Sequence, residues 1–258
     1  MAMLLRERLQ AGDVLFTAWS GVPDSIVVEL MAMQPFDAVT LDMQHGAHHE
    51  DSVVRCIPSI TASKKHPIVR VPVGRFDMTS RALDFGAEAV IAPMINSVED
   101  ARRFAASMKY PPLGERSWGP TFALPRSGGN APDWLAKSNE RTLAFAMVET
   151  RAALAALDGI LETPGVDGIF VGPADFSIAW TKGAQLNPRL EDMMGAVEDI
   201  AKRTRARGKF AATYLGDPAD VLKLSGFGYQ LFAFAQEVQL IQLGAASLLA
   251  AARASLKS

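Results

Sequence analysis

Short apolar runs rich in β-branched and aromatic residues alternate along the chain with longer stretches whose apolar positions recur every three or four residues. The first pattern fits buried strands and the second amphipathic helices, so the chain reads as repeated βα units around a parallel sheet. Strand-like runs fall at 14–18, 38–42, 68–71, 89–93, 143–149, 168–172, 210–215 and 230–234. Helical periodicity occupies 25–33, 50–63, 78–85, 98–108, 151–162, 190–207 and 218–225, with a last helix over 236–256. About eight strands in about 250 residues is what an α/β protein of the (β/α)8 TIM barrel type contains. An open doubly wound sheet is the rival architecture. No G-x-G-x-x-G follows the first strand, so we read residues 1–258 as one barrel domain.

Two segments break the rhythm. Residues 111–141 are rich in Gly, Pro, Ser and Asn, and a connection of that length is expected to serve as a lid or contact arm. The last helix, QEVQLIQLGAASLLAAARASL, is apolar on most of its faces. A helix covered only by its own barrel needs a single apolar stripe. This one is expected to pack on a neighbouring subunit of a homo-oligomer.

Composition narrows the function classes. Lys and Arg total 26 against 28 Asp and Glu, a net charge of −2 that argues against a nucleic-acid partner. Cys56 is the only cysteine, which excludes an intrachain disulfide and a thiolate zinc cluster. The first apolar run ends at Leu5 and is followed by Arg6, Glu7 and Arg8, too short for a signal-peptide core of about 7–15 residues. No stretch of about 18 apolar residues occurs. The expectation is a cytoplasmic protein without a membrane partner.

Barrel enzymes carry their reactive groups at the C-terminal ends of strands. Those ends offer Asp42, Gln44 and His45 after the second strand, Arg70 in the third, Glu149 at the fifth and Asp175 just beyond the sixth. Each has a plain structural alternative. Asp175 can be a helix cap, His45 a loop histidine, and Arg70 and Glu149 an internal ion pair that satisfies two buried charges. Their convergence on one rim favours chemistry. Glu149 and Asp175, as oxygen-only ligands, suit Mg²⁺ or Mn²⁺, with Co²⁺ a further candidate. His45, His48 and His49 do not make a convincing zinc site, because Gly46 interrupts them and His66 precedes the third strand at the opposite rim. No lysine stands where a Schiff base would form. Lys64, Lys65 and Lys209 precede strands, and Lys109 and Lys182 lie in loops or helix ends. The turns after strands seven and eight lack a Gly-rich anion cradle, so a carboxylate substrate is preferred to a phosphate ester.

The motifs L-D-M-Q-H-G (41–46), R-V-P (70–72), D-F-G-A (84–87), K-Y-P-P-L-G-E-R-S-W-G (109–119), V-E-T (148–150) and V-D-G-I-F-V-G-P-A-D-F-S (166–177) occur in that order. Together they resemble the HpcH/HpaI family of metal-dependent pyruvate aldolases, over nearly the whole chain. The resemblance implies a class II aldolase that makes or cleaves 4-hydroxy-2-oxo acids from a 2-oxo acid and an aldehyde, through a metal-stabilised enolate. It implies Glu149 and Asp175 as metal ligands and His45 as base. Arg70 would stabilise the enolate, and Asp84 would raise the basicity of His45, with Asp42 in the same catalytic group. Gly172, Pro173 and Ala174 would hold the substrate carboxylate, and a hexamer would use the C-terminal helix. Residues 121–129, together with a neighbouring subunit, are expected to shape the pocket for the aldehyde acceptor. Two positions depart from the family pattern: Gln44 replaces the usual Glu, and Met147 the usual Gln. Residues 147 and 149 share a strand face, so Met147 is expected beside Glu149 in the substrate pocket. An acyl-CoA lyase or 2-oxo acid decarboxylase of the same superfamily, and a non-catalytic scaffold barrel, are the alternatives.

Overall fold

The computed structural model describes residues 3–256. The strands β1 Leu15–Ser20, β2 Ala38–Asp42, β3 His66–Arg70, β4 Ala89–Ala92, β5 Leu143–Val148, β6 Gly168–Val171, β7 Phe210–Tyr214 and β8 Tyr229–Gln236 close a barrel in sequence order. Neighbours pair in parallel all the way round, including β1 with β8. Side chains alternate between the interior and the surrounding helices. Leu15, Ile68, Phe145, Phe170, Phe210 and Leu231 fill the inside, while Val39, Leu41, Val69, Val90 and Phe232 meet the helix layer. The same parity puts Trp19, Asp42, Arg70, Met147 and Tyr214 on the inward face at the C-terminal mouth of the barrel.

The N-terminal end is plugged by a short helix, Leu5–Gln10, whose Leu5 and Leu9 join the interior cluster. Six residues hold too little periodicity for the sequence pattern to reveal it. Residues 111–141 contain the helices Ala123–Ser127 and Ala131–Arg141. They connect the helix Val98–Met108 to β5, and so they lie at the N-terminal end, where Arg126 Nη1 donates to the Phe85 carbonyl at 2.7 Å. Within one chain, residues 121–129 do not cover the strand C-termini: they border a groove with Leu4, Gly86 and Thr142 at the far rim.

Lys109 anchors this segment. Its side chain is fully buried, and Nζ donates to the Asn139 and Thr142 carbonyls at 3.0 and 2.7 Å and to Asp167 Oδ2 at 2.7 Å. All three ammonium protons are used at the N-terminal end, far from any place where a substrate imine would form. Lys109→Met removes one donor from each of these three acceptors and the buried cation that pairs with Asp167, leaving Thr142 O to Arg6 and Asp167 Oδ2 to the Ala144 N–H. The expected cost is about 3 kcal/mol, read as a lowered urea midpoint at unchanged m-value.

The predicted helix over 151–162 is two pieces, Arg151–Ala155 and Leu157–Glu162. The C-terminal helix runs Glu237–Ser255, and Glu237 is its one buried residue among those described. Val238, Ile241, Leu243, Leu248 and Leu249 all face outward. No helix of the described residues is long and apolar enough to cross a membrane.

Candidate active site

Asp42 organises the mouth of the barrel. Arg70 binds it with two prongs, Nε to Oδ1 at 2.8 Å and Nη2 to Oδ2 at 2.6 Å, and Trp19 Nε1 donates to Oδ2 at 3.2 Å. Burial alone would raise the Asp42 carboxyl, but the Arg70 hydrogen bonds and charge outweigh it and hold the group below its ordinary value. The backbone N–H groups of Gln44, His45 and Gly46 also point at this carboxylate, at 3.0, 3.4 and 3.1 Å. Asp42 thereby fixes both the guanidinium and the following loop. Arg70 lies over the Trp19 ring at 4.8 Å, which limits its rotation. Its Nη1 has no partner among the described residues and is left for a ligand. The internal Arg70–Glu149 pair that the sequence allowed does not form, because Asp42 takes the guanidinium.

His45 is exposed at the mouth, and its ring has no hydrogen-bond partner among the described residues. Its placement therefore rests on the loop backbone. Gly46 makes that loop possible: a Cβ there would meet the Asp42 carbonyl at 2.5 Å and Gly21 Cα at 2.8 Å. The other histidines are spent separately. His48 is buried between Ser20 and Ser52, His49 caps the helix Glu50–Ala62, and His66 pairs with Glu88 at the far rim. Among the described residues no cluster of three or more His, Cys, Asp and Glu could hold a metal ion.

The two carboxylates at the rim form a different kind of site. Glu149 follows β5, is 2% exposed, and accepts from the Met94 N–H at 2.8 Å through Oε1. Met94 reaches that position in a left-handed backbone conformation, φ 54°, which a side chain adopts only at a cost of order 1 kcal/mol. Oε2 has no protein donor among the described residues. It faces Gly172, where a Cβ would collide with it and would meet Met147 Cε at 3.0 Å. Burial pushes the Glu149 carboxyl up to about 7, and the nearby Asp175 charge adds to the rise against the Met94 hydrogen bond and Arg70. Asp175 is exposed in the first turn of the helix Pro173–Trp180, whose cap is Gly172. The capping explanation for Asp175 is thus corrected: its side chain makes no capping bond. An open carboxylate pair with a cradle that only glycine leaves clear fits a hard divalent cation with oxygen ligands. Gly172→Ala should fold normally yet bind Mn²⁺ at least about tenfold more weakly, measured by titration calorimetry.

This geometry stands on a chain with clear relatives. The family model described as HpcH/HpaI aldolase/citrate lyase matches residues 16–249. The chain belongs to that family. It is 31% identical over 245 residues to the hydroxypyruvate/pyruvate aldolase of Roseovarius nubinhibens, covering 95% of each chain. It is 30% identical over 235 residues to the 2-keto-3-deoxy-L-rhamnonate aldolase of Salmonella gallinarum, covering 91% of this chain and 87% of the relative. An HpcH/HpaI family protein from Burkholderia cenocepacia superposes with a TM-score of 0.85 at 25% identity, over 96% of this chain and 98% of its own. The citrate synthase SbnG superposes with a TM-score of 0.86 at 25% identity, over 99% of both chains. The chain is an enzyme of the family whose named relatives are aldolases.

The expected partner of His45 is not where the resemblance implies. Asp84 lies near the end of the helix Asp77–Phe85, and helices of a barrel run back towards the N-terminal rim. There its Oδ1 accepts from Arg116 Nη2 at 2.6 Å. Desolvation raises the Asp84 carboxyl in spite of Arg116. Within one chain Asp84 and His45 lie at opposite rims, so the implied pairing does not form inside a single chain. Met147 does sit beside Glu149 and Gly172, as its strand parity requires. Gln44 Oε1 is buried without a donor among the described residues. Sequence reasoning missed Trp19, although its parity with Leu15 marks it as inward-facing. It missed the Met94 N–H altogether, since a backbone donor carries no residue signature.

Proposed function

We propose that the protein is a divalent-metal-dependent aldolase acting on pyruvate-like 2-oxo acids and aldehydes. The observation that carries this is the buried Glu149 carboxylate, whose free Oε2 and neighbouring Asp175 lie at the same barrel mouth as the unpaired Nη1 of Arg70. Glu149 and Asp175 would hold the cation, Mg²⁺ or Mn²⁺ by their oxygen donors, with Co²⁺ also admissible. A cation there supplies Lewis-acid stabilisation of negative charge developing on the substrate's keto oxygen. The N–H groups of Ala174 and Asp175 open the helix Pro173–Trp180 and have no acceptor among the described residues. They suit the substrate carboxylate, with the helix dipole adding attraction. Gly172 and Pro173 keep that approach clear, Gly172 by lacking a Cβ and Pro173 by lacking an N–H at the first helical position.

His45 removes the C3 proton of the oxo acid and later returns a proton to the new alkoxide. Arg70 directs Nη1 at the oxygen on which charge accumulates, held there by Asp42 and the Trp19 ring. Met147 lines the pocket with a thioether and gives no hydrogen bond there, which suits a pocket tolerant of substituents on the donor. Gln44, beside His45, would meet a substrate hydroxyl only on turning outward, because its Oε1 is buried in this conformation. Asp84 enters this scheme only from a second copy of the chain. The uncovered apolar residues of the C-terminal helix support assembly of such copies, and a hexamer is the assembly we propose.

The test is exchange of the C3 protons of pyruvate in D₂O. Exchange that requires Mg²⁺ or Mn²⁺, stops with chelator and survives borohydride is the expected result. Metal-independent exchange, or a trapped lysine adduct, would overturn the scheme. A second reading follows from the SbnG superposition: carbon–carbon bond formation with an acceptor other than an aldehyde. A panel of aldehydes and carboxylic acids offered with pyruvate separates the two.

A further inference from the structure

We propose that Glu237, the first residue of the C-terminal helix, is a positioning residue for His45, clamping from the far end of the sequence the loop that carries the base. The inference rests on the role of His45 proposed above.

Glu237 is 5% exposed, and no cationic side chain among the described residues is bonded to it. Its carboxylate is instead filled by donors from the end of β1. Ser20 Oγ donates to Oε1 at 2.5 Å, the Gly21 N–H reaches both oxygens at 3.1 and 3.0 Å, and the Val22 N–H reaches Oε1 at 3.2 Å. A buried carboxylate held this way is a strong, directional clamp on three consecutive residues. The chain adopts strained backbone to place it. Ala235, two residues earlier, has φ 63°, and the β1–β8 register shifts there so that Trp19 lies opposite Gln236. Strain of this kind persists where the surroundings over-determine it, and it gathers at functional sites.

The clamp passes directly to the His45 loop. Ser20 Oγ lies 2.9 Å from His48 Nε2, and His48 Nδ1 lies 3.0 Å from Ser52 Oγ. With the Ser20 proton on Glu237, Ser20 Oγ accepts from His48 Nε2–H, while Ser52 Oγ, which donates to the His49 carbonyl at 2.9 Å, flanks the ring at Nδ1. Ala47 N–H donates to the Gly21 carbonyl at 2.8 Å, and Gly46 packs against Gly21 Cα. The loop Met43–His48 is thus held on one side by Asp42 and on the other by Glu237 through Ser20, Gly21 and His48. His45 stands between the two clamps, and among the described residues no hydrogen bond sets its ring.

Two variants of the full-length protein test this, Glu237→Gln and the milder Ser20→Ala, which carries the test if the first fails to fold. Amide hydrogen exchange of residues 44–48 is expected to accelerate about tenfold, with the barrel strands unchanged. The metal-dependent exchange rate of pyruvate C3 protons is expected to fall up to about 10²-fold, while the KM for pyruvate and the Mn²⁺ affinity stay within about threefold. Unchanged loop amides would overturn the clamp whatever happens to activity. Equal losses in rate, KM and metal affinity would show general damage and overturn the positioning role. A wild-type protein without any pyruvate exchange would instead overturn the proposed reaction, with the amide result still standing on its own.

Discussion

Glu149→Gln is expected to abolish turnover and, at the same time, to stabilise the metal-free protein above neutral pH. The carboxylate is buried and its pKa is raised to about 7 from 4.5, so folding binds a proton that the unfolded chain releases. Stability from this group is fully present below the unfolded pKa and is lost as pH rises through the folded one. A shift of that size corresponds to about 3 kcal/mol of penalty in the metal-free protein at pH 8. The amide keeps the Met94 hydrogen bond at Oε1 and carries no charge to desolvate. Its melting temperature should therefore exceed that of the metal-free wild type by several degrees, about 2–4 °C per kcal/mol for a chain of this size, at pH 8. At pH 4 the difference should vanish. The same linkage makes cation binding release a proton below pH 7, detectable by calorimetry in buffers of different ionisation enthalpy. A Glu149→Gln protein less stable than metal-free wild type at pH 8 would contradict the desolvation account, and one that turns over with added Mn²⁺ would contradict the catalytic one.

Arg70→Lys is the second large effect. The substitution keeps the positive charge, yet one ammonium cannot bind both Asp42 oxygens and still present a donor to the substrate. The lysine also loses the planar contact with Trp19. Two outcomes are then open to the side chain, pairing with Asp42 or facing the substrate, and each sacrifices the other. The expected loss is about 10²–10³-fold in the rate constant for C3 exchange, with Mn²⁺ affinity within about threefold because neither Glu149 nor Asp175, the proposed metal ligands, is touched. An activity within tenfold of wild type would show that a general positive charge suffices and that the fork geometry is unimportant.

Much of this was legible in the sequence. The alternation of short apolar runs and helical periodicity located the barrel strands to within a residue or two at most ends, because each buried strand is bounded by polar turns. Strand parity alone placed Asp42, Arg70, Met147 and Glu149 at one mouth. What parity could not supply was pairing. Arg70 had two carboxylates within reach of its strand end, and the β2–β3 register, which sets Asp42 directly opposite Arg70 on the neighbouring strand, gave it to Asp42. The segment 111–141 looked like a loop by composition, since Gly and Pro cluster at its start and middle. Its two helices, with Asn130 capping the second, are local features that such an average hides.

The sequence by itself determined the fold class, the family and the identity of the chemical groups, because each follows from periodicity or from local motifs. Tertiary structure alone decided the rest. It sent residues 121–129 and Asp84 to the opposite end of the barrel from His45, since helices return against the strands. It brought Glu237 back from the C-terminus onto the end of β1. It also raised the Glu149 pKa, through burial that no local pattern of residues records. Those are properties of distance through space and of exclusion of water, and the order of residues along the chain does not contain them until the barrel has closed.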